Sequence, residues 1–403
     1  MNSAQKTSLK ILYSCPLDPV KHAAPGQHVT SVVRELAALG HDLTLIHQGD
    51  ALTNLEPSLQ HPLKLKRYRF VGRLVTDIGY SIALFKMLRN NEYDRVYHRL
   101  EKWSVLPMML FKVFKIPVVL EVNADIRAEL VSVGANVALR KVYPVSEGAQ
   151  VRLASKIVAV SEGIGKNLVK HFPKYSKKVV VIENGADTEV YSPRDQKQAC
   201  ETLGLNPNYK YIVFSGSFQP WQGLDTLVFS AAEVIRRFPD VRFMLIGDGR
   251  QGATLERLIK EEGIESHFTM TGWLDSEMVA QYLAASDICV APYSESAALN
   301  PTEAVLNYSG ALMKCSPLKI YTYMAMGKPV VAGGFLDGGQ RLVDWGVGMA
   351  FTPGSAAELS EALAALLSDK TLRDTLGAKG AERAKLHHTW AAVAKKIEQR
   401  CLT

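Results

Sequence analysis

The sequence contains few cysteines, and they follow no recognisable pattern. Only five occur in 403 residues, at Cys15, Cys200, Cys289, Cys315 and Cys401. An odd number of widely spaced cysteines argues against a disulfide framework, and no two have the short spacing of zinc ligands. We therefore expect reduced thiols in a cytoplasmic protein. The ten histidines also form no cluster that would indicate a metal site.

The sequence also lacks an apolar run long enough to cross a bilayer. The longest candidate, residues 105–122, is interrupted by Lys112 and Lys115. The first ten residues are polar and lack the apolar centre of a signal peptide. With 47% hydrophobic and 22% charged residues, the composition is typical of a globular protein. A length of 403 residues predicts two or three domains.

Acidic residues are under-represented in the first half of the chain. Up to Arg194 there are 27 Lys and Arg against 17 Asp and Glu, whereas the remainder has 20 against 23. A basic half favours an anionic partner such as a membrane surface, a lipid phosphate or an acidic glycan. An ordinary solvated surface accounts for the same excess. Residues 81–115 mix apolar and basic side chains, which suits an interfacial surface or two core-facing helices with basic outer faces. We expect no nucleic-acid partner.

The order of strand-like and helix-like segments predicts an α/β fold. Near the start, a strand over 9–14 is followed by a loop containing Pro25–Gly26, a helix over 28–39 and a strand over 42–47. Together these segments form one βαβ unit. Later segments continue the alternation, beginning with a strand predicted over 64–69.

A second alternating series of strands and helices begins after the turn-rich, polar segment 191–207. We therefore predict two doubly wound, Rossmann-like domains over residues 1–195 and 196–385. Ligands bind at the carboxyl ends of the strands in such sheets. With two facing domains, the natural site is the cleft between them.

The stretch 316–332 (SPLKIYTYMAMGKPVVA) predicts a helix followed at once by a buried strand. Ser316 can cap the first turn, while Gly327 and Pro329 end the helix. Lys319 is unusual, because a cation in the first turn opposes the helix dipole. A bound phosphate would remove this conflict. A solvated lysine on an exposed turn is the alternative.

Several motifs resemble those of family 4 glycosyltransferases, in the same order. They are KIVAVSEGIGKNLVKHFPKYSKKVVVIENGADTEVYSP from Lys156, YIVFSGSFQPWQGLDTL from Tyr211, MLIGDG from Met244, TGWL from Thr271 and SPLKIYTYMAMGKPVVA from Ser316. The resemblance covers most of residues 9–390 and is weaker from Gly49 to Lys115, where the acceptor should bind. It implies the GT-B fold and retaining transfer from a nucleotide sugar. It also implies a final helix, within residues 386–403, that crosses back to the N-terminal domain.

The resemblance implies which residues hold the donor diphosphate. Gly26 belongs to the first N-domain loop, whose backbone N–H groups approach the diphosphate, unless it is a plain turn glycine. The matching C-domain loop starts at Gly216, but Ser217 and Gln222 stand where many relatives have Arg and Lys. We infer that Lys319 supplies the missing positive charge, assisted by the Ser217 hydroxyl.

Thr322 is the larger departure from the family pattern. Relatives have Glu at this position, where it accepts hydrogen bonds from the ribose hydroxyls. They have a second Glu where this chain has Lys314. Thr322 can accept one hydrogen bond but lacks the charge and the second oxygen. Losing a charge-assisted bond costs roughly 1.5–3 kcal/mol. This departure implies weaker donor binding, another nucleotide, or no catalysis.

The resemblance also implies the residues of the nucleobase pocket. Gly272, Trp273 and Leu274 align with the loop that meets the base, mostly through its backbone. Gly247 and Asp248 follow a strand and are expected to shape the same pocket, with a purely structural turn as the equal alternative.

On the N-terminal side, Glu121 and Asn123 end the strand predicted over 118–122. We expect them to contact the acceptor or the transferring sugar. The alternative is a buried glutamate with a structural partner. His98 and Arg99 are further candidates for the cleft.

The sequence therefore predicts a retaining glycosyltransferase that moves a hexose-type sugar from a nucleotide-diphosphate donor. The acceptor would be a hydroxyl of a glycan, a lipid-linked molecule or a small molecule. We expect no metal and no cofactor besides the nucleotide-sugar substrate. The expected location is cytoplasmic, with peripheral attachment at the inner membrane surface through the basic half. Two alternatives remain open, namely a catalytically weakened accessory subunit and a sugar-nucleotide epimerase.

Overall fold

The computed structural model describes residues 8–20, 23–65, 72–102, 104–127, 130, 137–294, 318–335 and 337–402. Within these ranges the chain divides into two compact units. The first unit holds the described residues up to 184 together with residues 390–402, and the second holds residues 185–389. The chain thus leaves the first unit before the turn-rich segment 191–207, where we predicted the boundary.

The first unit is built on a parallel sheet. Its strands are β1 (Lys10–Cys15), β2 (Asp42–Gln48), β3 (Gln60–Leu63), β4 (Arg95–Arg99), β5 (Val118–Val122), β6 (Lys156–Ala159) and β7 (Val179–Val181). Their order in the sheet is β3-β2-β1-β4-β5-β6-β7, and neighbouring strands pair in parallel. The strand order reverses between β1 and β4, which is the doubly wound arrangement.

Helices connect these strands and cover the sheet. They are α1 (Ala23–Ala38), α2 (Gly72–Asn90), α3 (Val105–Val113), α4 (Val137–Leu153) and α5 (Glu162–His171). Tyr80 of α2, Phe111 of α3 and Tyr143 of α4 are buried in one core with residues of the strands. Ser161 caps α5, because its hydroxyl oxygen accepts a hydrogen bond from the Ile164 N–H at 3.2 Å.

The second unit contains another parallel sheet. Its strands are β8 (Lys210–Ser215), β9 (Val241–Ile246), β10 (Phe268–Gly272), β11 (Ile288–Ala291), β12 (Val330–Gly333) and β13 (Gly348–Phe351). Their order is β10-β9-β8-β11-β12-β13, again with parallel pairing. The order reverses between β8 and β11. Both units are therefore doubly wound, which confirms the predicted α/β fold class.

Helices also surround the second sheet. They are α6 (Gln196–Thr202), α7 (Leu224–Arg237), α8 (Gly252–Glu261), α9 (Ser276–Ala285), α10 (Leu318–Ala325), α11 (Gly339–Trp345), α12 (Ala356–Ser368) and α13 (Lys370–His387). The C-terminal helix α14 (Trp390–Ile397) belongs to the first unit, where it packs against α1. None of the helices in the described part of the chain has the length and apolar composition needed to cross a membrane.

Some local predictions were wrong. Pro25 and Gly26 lie in the first turns of α1 and not in a loop. The third strand ends at Leu63, so residues 64 and 65 do not belong to it, and residues 66–69 lie outside the described residues. Helix α4 was missed, because Pro144 lies inside it and interrupts its helical pattern.

Helix α10 is the helix predicted within 316–332, and it is buried on more than one side. Ile320, Tyr321, Tyr323, Met324 and Ala325 are all buried. Gly327 ends the helix with the left-handed φ of +70° that glycine tolerates. Ser316, the predicted cap, lies outside the described residues.

Helix α13 packs closely against the end of α10. A Cβ atom on Gly377 would lie 2.2 Å from the carbonyl oxygen of Gly327, which is backbone and cannot rotate away. A Cβ atom on Gly380 would meet Met324 at 3.6 Å, an ordinary van der Waals distance. One glycine of α13 is therefore required by packing and the other is not.

We predict that Gly377→Ala lowers the free energy of unfolding by about 1–3 kcal/mol, the usual cost of overpacking. Gly380→Ala is the matched control in the same helix. It should leave the stability unchanged or raise it by up to about 1 kcal/mol, because alanine is the better helix former. Urea unfolding of both variants measures this difference. Equal stabilities for the two variants would contradict the packing of α13 on Gly327.

Candidate functional site

The reversal of strand order between β8 and β11 marks the candidate site of the second unit. In doubly wound sheets, ligands bind outside the carboxyl ends of the strands at such a point. The loop 216–223 follows β8 directly, and α10 begins with Leu318 and Lys319. The described part of this site therefore consists of the 216–223 loop, the neighbouring strand ends and the first turn of α10.

The carboxyl ends of β8, β9 and β10 contact one another here through the backbone of three glycines. Gly216 N–H donates to the Ile246 carbonyl at 2.9 Å, and Gly247 N–H donates to the Gly272 carbonyl at 2.9 Å. All three glycines have positive φ, and a Cβ on Gly247 would lie 2.1 Å from the Gly216 carbonyl oxygen. Only glycine allows this close approach.

Lys319 reaches this backbone from α10. A Cβ on Gly216 would lie 2.9 Å from the Lys319 Nζ atom. Nζ donates a hydrogen bond to Gln222 Oε1 at 2.6 Å, and it stands 3.8 Å from the centroid of the Phe214 ring and 5.3 Å from that of Tyr293. An amide oxygen and two ring faces both attract an ammonium group. The structure thus brings Lys319, Gly216 and Gln222 together.

Tyr323 was missed by the sequence analysis. Its hydroxyl accepts a hydrogen bond from Ser215 N–H at 2.8 Å and lies 3.3 Å from the Ser215 carbonyl oxygen, to which it donates. Burial raises the pKa of the Tyr323 phenol well above its usual range, so it stays protonated. Tyr323 lies one turn after Lys319, and this spacing was the available signal. By attaching α10 to the end of β8, Tyr323 positions the amine of Lys319.

Ser217 and Thr322 lie next to these residues. Ser217 follows Gly216 directly and is half-buried. Thr322 is also half-buried, and its hydroxyl donates to the Leu318 carbonyl one turn earlier at 3.3 Å. The lone pairs of the Thr322 oxygen can still accept a hydrogen bond. Lys314 lies outside the described residues.

The predicted nucleobase residues have two different environments. Trp273 projects outward and is 62% exposed, whereas Leu274 packs against the core of the second unit. Asp248 forms hydrogen bonds to two loop residues. Its carboxylate accepts a hydrogen bond from Gly249 N–H at 2.6 Å, and its backbone carbonyl accepts one from Phe218 N–H at 2.9 Å. These two hydrogen bonds stabilise the turn that contains Asp248.

In the first unit, Glu121 at the end of β5 is buried and surrounded by donors. The Tyr97 hydroxyl donates to Oε2 at 2.6 Å, and His28 Nε2 lies 2.9 Å from the same oxygen. Asn123 Nδ2 donates to Oε1 at 2.5 Å and Arg99 Nη1 at 3.4 Å. This is the buried, paired glutamate of our alternative. This packing does not favour a direct contact between Glu121 and the acceptor.

The charge of Glu121 is stabilised by these partners. Burial alone would raise the pKa of its carboxyl, but His28, Arg99 and Asn123 overcome burial and lower the pKa to about 2. Asn123 is half-buried, and its amide is oriented by this carboxylate.

His98 and Gly26 also have structural settings. His98 is fully buried, its Nδ1 lies 2.9 Å from Ser14 Oγ, and burial lowers its pKa to about 3. A Cβ on Gly26 would lie 2.5 Å from the Pro19 carbonyl oxygen. Gly26 therefore permits the close packing of α1 against the loop that precedes it.

Two family models match the chain in tandem. The model described as Glycosyltransferase Family 4 matches residues 25–190, and the model described as Glycosyl transferases group 1 matches residues 209–369. The D-inositol 3-phosphate glycosyltransferase of Corynebacterium aurimucosum is 30% identical over 243 residues, which cover 58% of this chain and 53% of that protein. The protein of the same name from Nocardia farcinica is 28% identical, with 60% and 51% covered. The chain thus spans about half the length of the curated relatives it matches.

Solved structures resemble the whole chain. Sucrose-phosphate synthase from Thermosynechococcus elongatus matches with a TM-score of 0.75 and 19% identity, over 97% of this chain and 98% of that one. Anabaena Alr3699/HepE, solved in complex with UDP and glucose, matches with a TM-score of 0.70 and 18% identity, over 98% and 100%. At these identities the likeness concerns the fold, and it confirms the predicted GT-B fold.

We predict that Glu121→Gln removes about 3 kcal/mol of stability at pH 7, the value of a carboxyl whose pKa falls from about 4.5 when unfolded to about 2 when folded. A depressed pKa contributes stability above the unfolded pKa, and this contribution is lost as the pH falls toward 2. About 1.4 kcal/mol of it should already be lost at pH 3.5. Urea unfolding between pH 7 and pH 3.5 should therefore show a flatter pH dependence for the variant. Glu256→Gln, at an exposed carboxylate of α8, is the matched control. A pH dependence identical to that of the parent would contradict the prediction.

Proposed function

Because the chain carries a Glycosyltransferase Family 4 domain followed by a Glycosyl transferases group 1 domain, we propose that it transfers a hexose-type sugar from a nucleotide-diphosphate donor to a hydroxyl acceptor. The observation that carries the proposal is the amine of Lys319, held over Gly216 at the carboxyl end of β8. A positive charge beside glycine backbone, at the place where the strand order of a doubly wound sheet reverses, would attract a diphosphate.

The donor diphosphate would bind between Lys319 and the 216–223 loop. Its oxygens would take hydrogen bonds from the amine, from loop N–H groups and from the Ser217 hydroxyl. The amine lies in the first turn of α10, and an anion there would be attracted both by that charge and by the helix dipole. Gln222 would hold the amine in place before the donor binds, through the 2.6 Å hydrogen bond.

The nucleoside would extend toward the ends of β9 and β10. A Cβ on Gly272 would meet nothing within 4 Å, which leaves room for the base, and the exposed indole of Trp273 offers a face for stacking. The fold likeness to Anabaena Alr3699/HepE, whose structures contain UDP and UDP-glucose, favours a uridine nucleotide. Thr322 would give the ribose one acceptor where a glutamate would give two oxygens, so we expect modest donor affinity.

We propose that transfer retains the configuration of the sugar and needs no metal. The acceptor hydroxyl would attack the face that the nucleotide diphosphate leaves, and the leaving phosphate would accept the hydroxyl proton. The protein would contribute positioning and stabilisation of the negative charge that grows on the diphosphate. Lys319, the loop N–H groups and the α10 dipole would supply that stabilisation.

The acceptor belongs to one of three classes in this proposal, namely a glycan, a lipid-linked molecule or a small molecule. We also propose a cytoplasmic location with peripheral attachment of the basic half to the inner membrane surface. The excess of Lys and Arg up to Arg194 supports this part, since cations are attracted to anionic lipid.

A panel of nucleotide sugars tests the proposed activity. The purified chain should release nucleoside diphosphate from at least one sugar nucleotide of the panel when glycan, lipid-linked and small-molecule hydroxyl acceptors are supplied. Conversion of the donor sugar in the absence of any acceptor would support an epimerase instead. Binding of nucleoside diphosphate without turnover of any donor would support an accessory subunit.

We predict that Lys319→Met lowers kcat/KM for the donor by more than tenfold, because a charge-assisted hydrogen bond is worth roughly 1.5–3 kcal/mol. Lys319→Arg keeps the charge and should recover part of the loss. Lys260→Met, at an exposed lysine of the same unit, should leave the kinetics unchanged. Steady-state kinetics on the three variants measures this. If Lys319→Met had the same kinetics as the parent, Lys319 would not be part of the donor site.

A further inference from the structure

The outer side of α2 in the first unit is apolar. Ile78, Ile82 and Phe85 are 43%, 53% and 41% exposed, and they follow one another at helical spacing. Tyr80 and Leu84, on the opposite side of the helix, are buried in the core. Helix α2 is thus hydrophobic on both sides, and core packing explains only one of them.

Helix α3 has the same property and lies beside α2. Leu106, Met109 and Val113 are exposed, whereas Met108 and Phe111 are buried. The two helices contact each other, and their apolar sides are joined by a ring contact of 5.9 Å between Phe85 and Phe114.

Helix α4, which contacts α3, continues this surface with Val142 and Val145. We call the exposed sides of α2, α3 and α4 the helical face. Single exposed apolar residues are ordinary, but exposed apolar residues repeated on three helices, each in contact with the next, are typical of an interaction surface.

The helical face is also uniformly basic. Its exposed cations are Lys86, Arg89, Lys112, Lys115, Arg140 and Lys141. None of the six forms an ion pair with another residue that the structure describes. On the described side chains of the three helices, the carboxylates are Asp77, which is half-buried, and Glu147, which is buried and paired with Arg127. The described side chains of the three helices therefore present exposed positive charge and apolar surface without exposed negative charge, although the exposed Glu92 follows α2 as Lys115 follows α3.

We infer that the helical face docks on an anionic lipid bilayer. This assignment rests on the peripheral attachment proposed above, and it names the surface responsible. Apolar side chains would enter the boundary between headgroups and acyl chains. Four of the cations lie in the last turns of α2 and α3 or directly after α3, and their long stems allow the charges to reach lipid phosphates.

The positive charge of the helical face favours an anionic bilayer over a second copy of the chain as its partner. Two copies meeting through the same face would bring twelve unpaired cations together, since an isologous contact places like residues against like. A bilayer with anionic lipid neutralises these charges, and its interior accepts the apolar side chains.

Vesicle co-sedimentation tests the inference with the full chain. The vesicles are phosphatidylcholine with about a third phosphatidylglycerol, and the control vesicles are pure phosphatidylcholine. The variant Ile82→Gln/Met109→Gln/Val113→Gln removes apolar surface, and Lys86→Glu/Arg89→Glu/Lys112→Glu reverses three charges. We expect the parent to bind the anionic vesicles, and each triple variant to bind at least about tenfold more weakly.

Matched controls lie in the second unit. Lys197→Glu/Lys260→Glu/Lys379→Glu changes the formal charge equally, and Phe229→Gln/Val343→Gln/Leu386→Gln removes exposed apolar side chains elsewhere. Both controls should bind within about threefold of the parent, since they leave the helical face intact. Equal losses in the control and face variants would overturn the inference. The inference would also be overturned if the parent did not bind anionic vesicles. It would be overturned equally if sedimentation velocity showed a dimer of the parent that the apolar face variant dissociates.

This test is separate from the test of sugar transfer. Vesicle binding is measured without donor, and nucleoside diphosphate release is measured without vesicles. Transfer activity with no vesicle binding would overturn the helical face together with the peripheral attachment on which it rests, and would leave the proposed sugar transfer standing. Vesicle binding with no transfer would overturn the proposed sugar transfer alone. Urea midpoints equal to that of the parent ensure that each variant is folded.

Discussion

The docking of α10 onto the end of β8 is the contact on which the candidate donor site depends. On one side, the Tyr323 hydroxyl satisfies both the N–H and the carbonyl of Ser215. On the other side, Gly377 of α13 allows the end of α10 to approach closely. A buried backbone group left without its partner costs about 1–3 kcal/mol, so the helix has little freedom to shift. The position of the Lys319 amine is therefore set by packing and by backbone hydrogen bonds, and a proposed anion would meet a preorganised charge.

In the first unit, the buried carboxylate of Glu121 is stabilised by hydrogen-bond donors. A buried carboxylate is costly unless it is paired and hydrogen-bonded, and here both oxygens have donors from separate elements. His28 comes from α1, Tyr97 from β4 and Asn123 from the segment after β5. The edge of the His28 ring packs on Trp390 of α14 at 5.1 Å, which links this cluster to the C-terminal helix. Glu121 thereby orders three elements at the carboxyl ends of β4 and β5.

Most of the fold was predictable because it is encoded locally. Strand β5 and helix α5 have the predicted limits, since the apolar run of β5 and the Ser161 cap are sequence features. Helix α4 was not predictable, because Pro144 lies inside it and only tertiary packing compensates for the interruption. In the site, Lys319 was predictable as a cation that opposes its helix dipole. Tyr323 was not, since a tyrosine at helical spacing is usually core, and its partner Ser215 is more than a hundred residues away in the chain.

The low pKa of Glu121 also limits the chemistry open to this carboxylate. A group whose conjugate acid has a pKa of about 2 is a feeble Brønsted base at neutral pH, because it returns a captured proton to water almost at once. In addition, its lone pairs already point at buried donors. The strand end that carries Glu121 therefore orients neighbouring side chains, and its carboxylate is poorly suited to deprotonate a hydroxyl. A general base is better supplied by a group outside this cluster.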